Sequence, residues 1–231
     1  MCNFFSLVSD PTAQKIMYCD WAVRSKVLSG ELDIEPDSHT AIAKYHGYNA
    51  RQEDKLNKYE YNPLTKKFTI DQINNEIDDS ASVERYCNEM VFAKVIPALV
   101  VKPIIHPFKV KPPKKITEKH LDLLKEWASM RDSVRASVRD SVRASVGDSV
   151  RDSVWASVWA SVWASMWDSV GAYTGSFFLL ETWKYINHEK GIYPYQCLVD
   201  LWEQGLVPSF DGKKWRLHGG EKGKILWEGE L

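Results

Sequence analysis

From Trp127 to Val170 the chain is a run of eleven four-residue units, [Trp/Arg/Gly]-[Ala/Asp]-Ser-[Val/Met], with no break in phase. Nothing else in the sequence limits the fold so strongly. The third place is Ser from Ser129 to Ser169, and the fourth is Val except at Met130 and Met166. The first place is Arg early (Arg131, Arg135, Arg139, Arg143, Arg151) and Trp late (Trp155, Trp159, Trp163, Trp167). Arg, Trp and Gly share little chemistry, but all can be encoded by codons ending in GG. Ala and Asp differ by one middle base. The first two places therefore read as a duplicated unit drifting where the protein tolerates change, which implies outward-facing positions. Val reads as inward.

A period of four fits an unbroken α-helix badly. At ~3.6 residues per turn, four residues advance ~400°, so each column drifts ~40° per unit. Over the whole run the Val column would circle the helix, and Ser and Val are mediocre helix formers. A β-solenoid treats every unit alike, because a coil of ~12 or 16 residues holds whole units. The expected class is α+β. A mixed domain over 1–115 ends in a Pro/Lys linker. A helix leads into the repeat over 116–172, and a small helix-plus-hairpin unit follows over 173–231. The repeat rod is expected as a β-solenoid, with a long α-helix or helical hairpin as the alternative. The Ser-xxx-Ser spacing supports that alternative, because it allows close helix approach. A membrane span fits poorly. Val154 to Leu180 carries only Asp168 as a charge, yet Ser recurs every fourth place and Trp sits centrally.

Outside the repeat, local signals mark the elements. A hairpin is expected over Asn3–Val8 and Lys15–Trp21, then a helix capped by Asp20 and stopped at Gly30. A second helix follows Asp37. Tyr59–Tyr61 and Lys67–Ile70 read as a hairpin. Residues 78–92 read as helix, and Val95–Ile105, broken by Pro97 and Pro103, as one strand. Thr117 with His120 forms an imperfect capping box for a helix from Glu118. Phe177–Ile186 and Tyr195–Gln204 read as helices, and Lys214–Leu217 with Lys224–Trp227 as a hairpin.

The motif Gly205-Leu-Val-Pro-Ser-Phe-Asp-Gly-Lys-Lys-Trp-Arg-Leu-His218, with the repeat and the opening Met1-Cys-Asn-Phe-Phe-Ser-Leu-Val8, resembles a group of uncharacterised bacterial and phage-type proteins that carry such tetrapeptide repeats. The resemblance covers most of the chain. It implies a phage or mobile-element origin and carries over no catalytic residue.

Composition bounds the function. Formal net charge is -1, so no global field recruits nucleic acid or an anionic membrane. Within the repeat, five Arg are set against Asp132, Asp140, Asp148 and Asp152, which reads as a self-paired solvated face and not a phosphate grip. Cys2, Cys19, Cys87 and Cys197 form no C-x-x-C pair, and the N-terminus lacks a basic n-region. The expectation is therefore a cytoplasmic protein with free thiols and no metal or cofactor.

Three sites remain. Removal of Met1 would expose Cys2 as an N-terminal nucleophile, an arrangement that resembles the start of class II amidotransferases and of the SRAP DNA-crosslinking fold. Asn3 replaces their usual glycine, and a buried thiol is the plainer account. Asp37-Ser38-His39 with His46 could form a hydrolase or metal site, or simply a helix cap beside two histidines. Trp155, Trp159, Trp163 and Trp167, equally spaced, form an apolar column that either packs on its own chain or binds a protein partner or a second copy. The reading is a non-enzymatic structural or protein-interaction protein, with a Cys2 enzyme of amidotransferase or hydrolase type as the alternative.

Overall fold

The computed structural model describes residues 4–162 and 167–231, which divide into two units. The first comprises the chain up to Val101 together with Ala144–Val154, and the second Lys102–Arg143 with Trp155–Leu231. The repeat contributes to both.

The first unit begins with β1 (Phe5–Asp10) and β2 (Lys15–Met17), followed by α1 (Trp21–Ser29), α2 (His39–Tyr45) and α3 (Ala50–Glu53). Strands β3 (Asn57–Asn62) and β4 (Lys67–Gln72), helix α4 (Ser80–Glu89) and a 3-10 turn at Phe92–Lys94 complete it. The antiparallel sheet has the order β2-β1-β3-β4. Both faces of β1 are covered, so it is buried along nearly its whole length and lacks the alternation of a half-exposed strand. On one face Val8 and Met17 join Val23, Ile42, Ala43 and Leu56 in a core beneath α1 and α2. On the other, Phe5 meets Phe92 at 5.2 Å between ring centroids, and Ser9, Asn57 and Tyr59 all donate to Asp79 at the start of α4.

Local capping explains the helix bounds. Asp20 accepts from the Val23 N–H, and Gly30 ends α1. Ser38, not Asp37, caps α2 through the Ala41 N–H.

The repeat corrects the solenoid expectation, because it is helical. Helix α5 runs over Glu118–Val146, α6 over Asp148–Val162 and α7 over Trp167–Gly175. The drift argument assumed one unbroken helix, and Gly147 removes that assumption. From Val134 to Val146 the Val column drifts only about 120°, close to the width of an ordinary buried stripe. Gly147 then adopts φ 85°, the left-handed conformation that ends a helix, and α6 starts the drift afresh. Val134, Val138, Val142, Val146, Val150, Val154 and Val158 are all buried as a result.

The chain also folds back. A β-carbon at Gly171 in α7 would lie 3.2 Å from Val134 Cγ1 and 3.6 Å from Trp155 Cζ3. On one straight helix Val134 and Trp155 would be about 31 Å apart. The repeat is therefore a helical hairpin with α7 laid against it, and Gly171 is the close-approach residue that Ser-xxx-Ser spacing alone did not reveal.

Gly147 is the only glycine at a first place, so Gly147→Arg restores the repeat's usual residue. An L-residue held in the left-handed region costs about 1–2 kcal/mol. Urea denaturation should show a loss of that size for Gly147→Arg. A change below about 0.5 kcal/mol would mean that the turn does not depend on glycine.

The second unit adds α8 (Gln196–Glu203) and an antiparallel sheet of order β5-β6-β7, formed by β5 (Leu206–Phe210), β6 (Trp215–Gly219) and β7 (Lys224–Gly229). His120 closes the capping box of α5: its Nδ1 accepts the Thr117 N–H at 2.9 Å, and its Nε2 donates to Gln204 Oε1. Tyr173 and Trp202 anchor the core, with ring centroids 4.5 Å apart.

Two further expectations fail. Val95–Ile105 forms no strand. Pro97 and Pro103 lack ladder donors, and the Ile105 N–H donates to the Tyr173 hydroxyl instead of to a neighbouring strand. Phe177–Ile186 is not helical: the Ser176, Phe177 and Phe178 N–H groups close tight turns after Gly175, and the Lys184 N–H donates to Ser141. Conversely, Leu206–Phe210 forms β5, a strand the sequence reading does not include.

Candidate functional site

Trp155 and Trp159 lie one helical turn apart on α6 and stack, with ring centroids 6.2 Å apart and planes 16° from parallel. Both are half-buried. Trp155 rests one edge over Gly171, so the column packs partly on its own chain. Trp163, the side chain of Trp167 and Cys2 lie outside the described residues.

Three of the repeat's Arg side chains, Arg131, Arg139 and Arg151, pair along their own helices. Arg131 bonds Asp132 at 3.2 Å and Arg139 bonds Asp140 at 2.7 Å. Arg151 reaches Asp148 at 2.9 Å and Asp152 at 2.6 Å. Arg131 also lies over the rings of Phe210 and Trp215, 5.1 and 5.4 Å from their centroids.

The structure does not bring the proposed Asp37-Ser38-His39/His46 constellation together as reacting groups. His39 Nε2 donates to the Tyr59 carbonyl and His46 Nε2 to the Tyr18 carbonyl. Asp37 turns instead to Arg24, which it meets at 2.5 and 3.1 Å, and accepts from Ser149 at 2.8 Å. Both partners of this ion pair are buried, each side chain 4% exposed. The remaining described thiols are also unsuited to attack. Burial pushes Cys19 up to about 11, Cys87 to about 12 and Cys197 to about 12, so each stays a thiol at neutral pH.

The C-terminal motif reads as a stapled hairpin. His218 Nδ1 donates to the Gly223 carbonyl, which leaves Nε2 to accept from Ser209 at 2.8 Å. Asp211 accepts the Lys213 and Lys214 N–H groups, which hold its carboxyl down at about 2, and also pairs with Arg216 at 2.6 Å. Phe210 stacks on Trp215.

The sheet edges discourage strand addition. β2 has three residues, β5 carries Pro208, and the registers place an extra residue at Asp71 in β4 and at Leu226 in β7. Short strands, prolines and bulges are the usual means of blunting an edge. Among the described residues, no group of three or more His, Cys, Asp or Glu side chains is placed to hold a metal ion. No described helix is long and apolar enough to cross a membrane.

No protein-family model, curated protein or solved structure matches the chain.

Proposed function

We propose that this chain is a non-enzymatic protein-interaction protein, and that its helical repeat associates with a second copy through the late first-place column. The observation that supports this is the Trp155–Trp159 stack on α6, whose two side chains are only half-buried. Flat indoles give large contact area for little lost side-chain freedom. The blunted sheet edges leave helix surfaces as the favoured route to association. The early half of the same column, occupied by Arg of which Arg131, Arg139 and Arg151 pair with neighbouring Asp, would stay solvated and set a limit to the contact.

Sedimentation equilibrium of the wild-type chain and of Trp155→Arg/Trp159→Arg tests the reading. Wild type should self-associate, and the double variant should do so at least about tenfold more weakly, a change of ~1.4 kcal/mol. Circular dichroism should show the variant still helical. A wild-type chain that stays monomeric, or a variant that associates equally well, contradicts the proposal. A variant that unfolds would place the stack in the core.

A further inference from the structure

A second site lies in the first unit. It is a cleft of about 370 Å³, within the size range of small-molecule sites. Val27 and Leu28 of α1, Ile34 and Pro36 of the following loop, and Val146 give it an apolar lining. Arg24, Glu35, Asp37, Asp148 and Ser149 supply its polar groups.

The charges differ in role. Arg24 and Asp37 neutralise one another, and their burial fixes them in place. Arg24 Nε is tied to the Cys19 carbonyl, and Asp37 also holds Ser149. Asp148 shares Arg151 with Asp152. Glu35 belongs to the loop Glu31-Leu-Asp-Ile-Glu-Pro-Asp37, in which acidic residues alternate with apolar ones. Of these, Glu31, Asp33 and Glu35 are exposed, while Ile34 and Pro36 line the cleft. Of these exposed carboxylates, Glu35 is the one that lines the cleft, between Ile34 and Pro36 in sequence. The start of α6 adds a partial positive charge, but Asp37 and Asp148 already lie beside it.

We propose that this cleft binds a small organic ammonium, an apolar body carrying one cationic nitrogen. The body lies against Leu28, Ile34 and Val146, and the nitrogen faces Glu35, with Asp148, already paired to Arg151, adding little. The attraction to the rim carboxylates is solvent-screened and weakens with added salt. Apolar contact supplies most of the affinity, and the charge supplies selectivity over anions.

Backbone NMR titration of the full chain tests this, with 2-phenylethylammonium as the probe and 2-phenylethanol and 3-phenylpropionate as near-isosteres. The ammonium should shift the amides of Leu28, Gly147 and Ser149 saturably. Both isosteres should bind at least about fivefold more weakly. Leu28 is partly exposed, so Leu28→Trp should fold while filling the cleft and should weaken ammonium binding about tenfold or more. Glu35→Gln should weaken it several-fold and narrow the gap to 2-phenylethanol. Equal binding of either isostere overturns the assignment of charge. Unchanged binding by a folded Leu28→Trp, or no saturable shift, overturns the site.

Discussion

Val142→Asp will cost about 4 kcal/mol or more, while Arg135→Trp will change stability by less than about 0.5 kcal/mol. The two positions lie seven residues apart on the same helix and differ in what surrounds them. Val142 is fully buried. A carboxylate there has no water and no designed partner, so it either stays charged at high cost or takes up a proton. Arg135 is exposed at a first place, where the repeat already accepts both Arg and Trp. Urea unfolding of both variants, followed by circular dichroism, measures the difference. A chain of ordinary stability, ~5–15 kcal/mol, loses much of it to the first change. Equal midpoints would mean that Val does not face inward.

The second large effect belongs to the ion pair of the first unit. Asp37→Ala leaves the Arg24 guanidinium, its side chain 4% exposed, with the Cys19 carbonyl as acceptor. Removing one partner of a buried pair costs about 3–5 kcal/mol. The same change removes the acceptor of Ser149 at the beginning of α6. Arg24→Met with Asp37→Leu removes both charges and keeps most of the volume, so it should be markedly more stable than Asp37→Ala. The two variants are compared by their denaturation midpoints at constant slope. A loss below about 1 kcal/mol for Asp37→Ala would mean that water reaches the guanidinium.

Signals carried within a few residues were legible in the sequence. Asp20 before α1, Gly30 after it, and Thr117 with His120 all mark ends that the structure keeps. Signals that depend on distant partners were not. In the sequence, Asp37 and Ser38 both read as candidate caps for the helix that follows, and Ser38 takes that place. The real partners of Asp37 are Arg24, 13 positions away, and Ser149, 112 positions away, and no local pattern announces either.

The repeat shows a different limit. Its outward and inward columns were readable from which residues interchange, and Val is buried at unit after unit from Val134 to Val158. Its backbone class was misread because Gly147 was taken as one more drifted first place. One left-handed residue turns a stripe that would spiral into two short arms that need not. The Trp column likewise looked uniform in sequence. Gly171, at the first place beyond the last Trp and thus just outside the eleven units, is what lets Trp155 pack against the chain itself.

The most direct test of the hairpin is a set of nuclear Overhauser contacts in a chain with labelled Val methyls, Trp rings and Gly α-protons. The fold predicts cross-peaks from the Gly171 α-protons both to the Val134 methyls and to the Trp155 ring, since a β-carbon at Gly171 would lie 3.2 and 3.6 Å from those side chains. Helical carbon shifts should extend through α5 and α6 and break at Gly147. β-type shifts over the repeat, or helical shifts that continue through Gly147 without either cross-peak, would contradict the account.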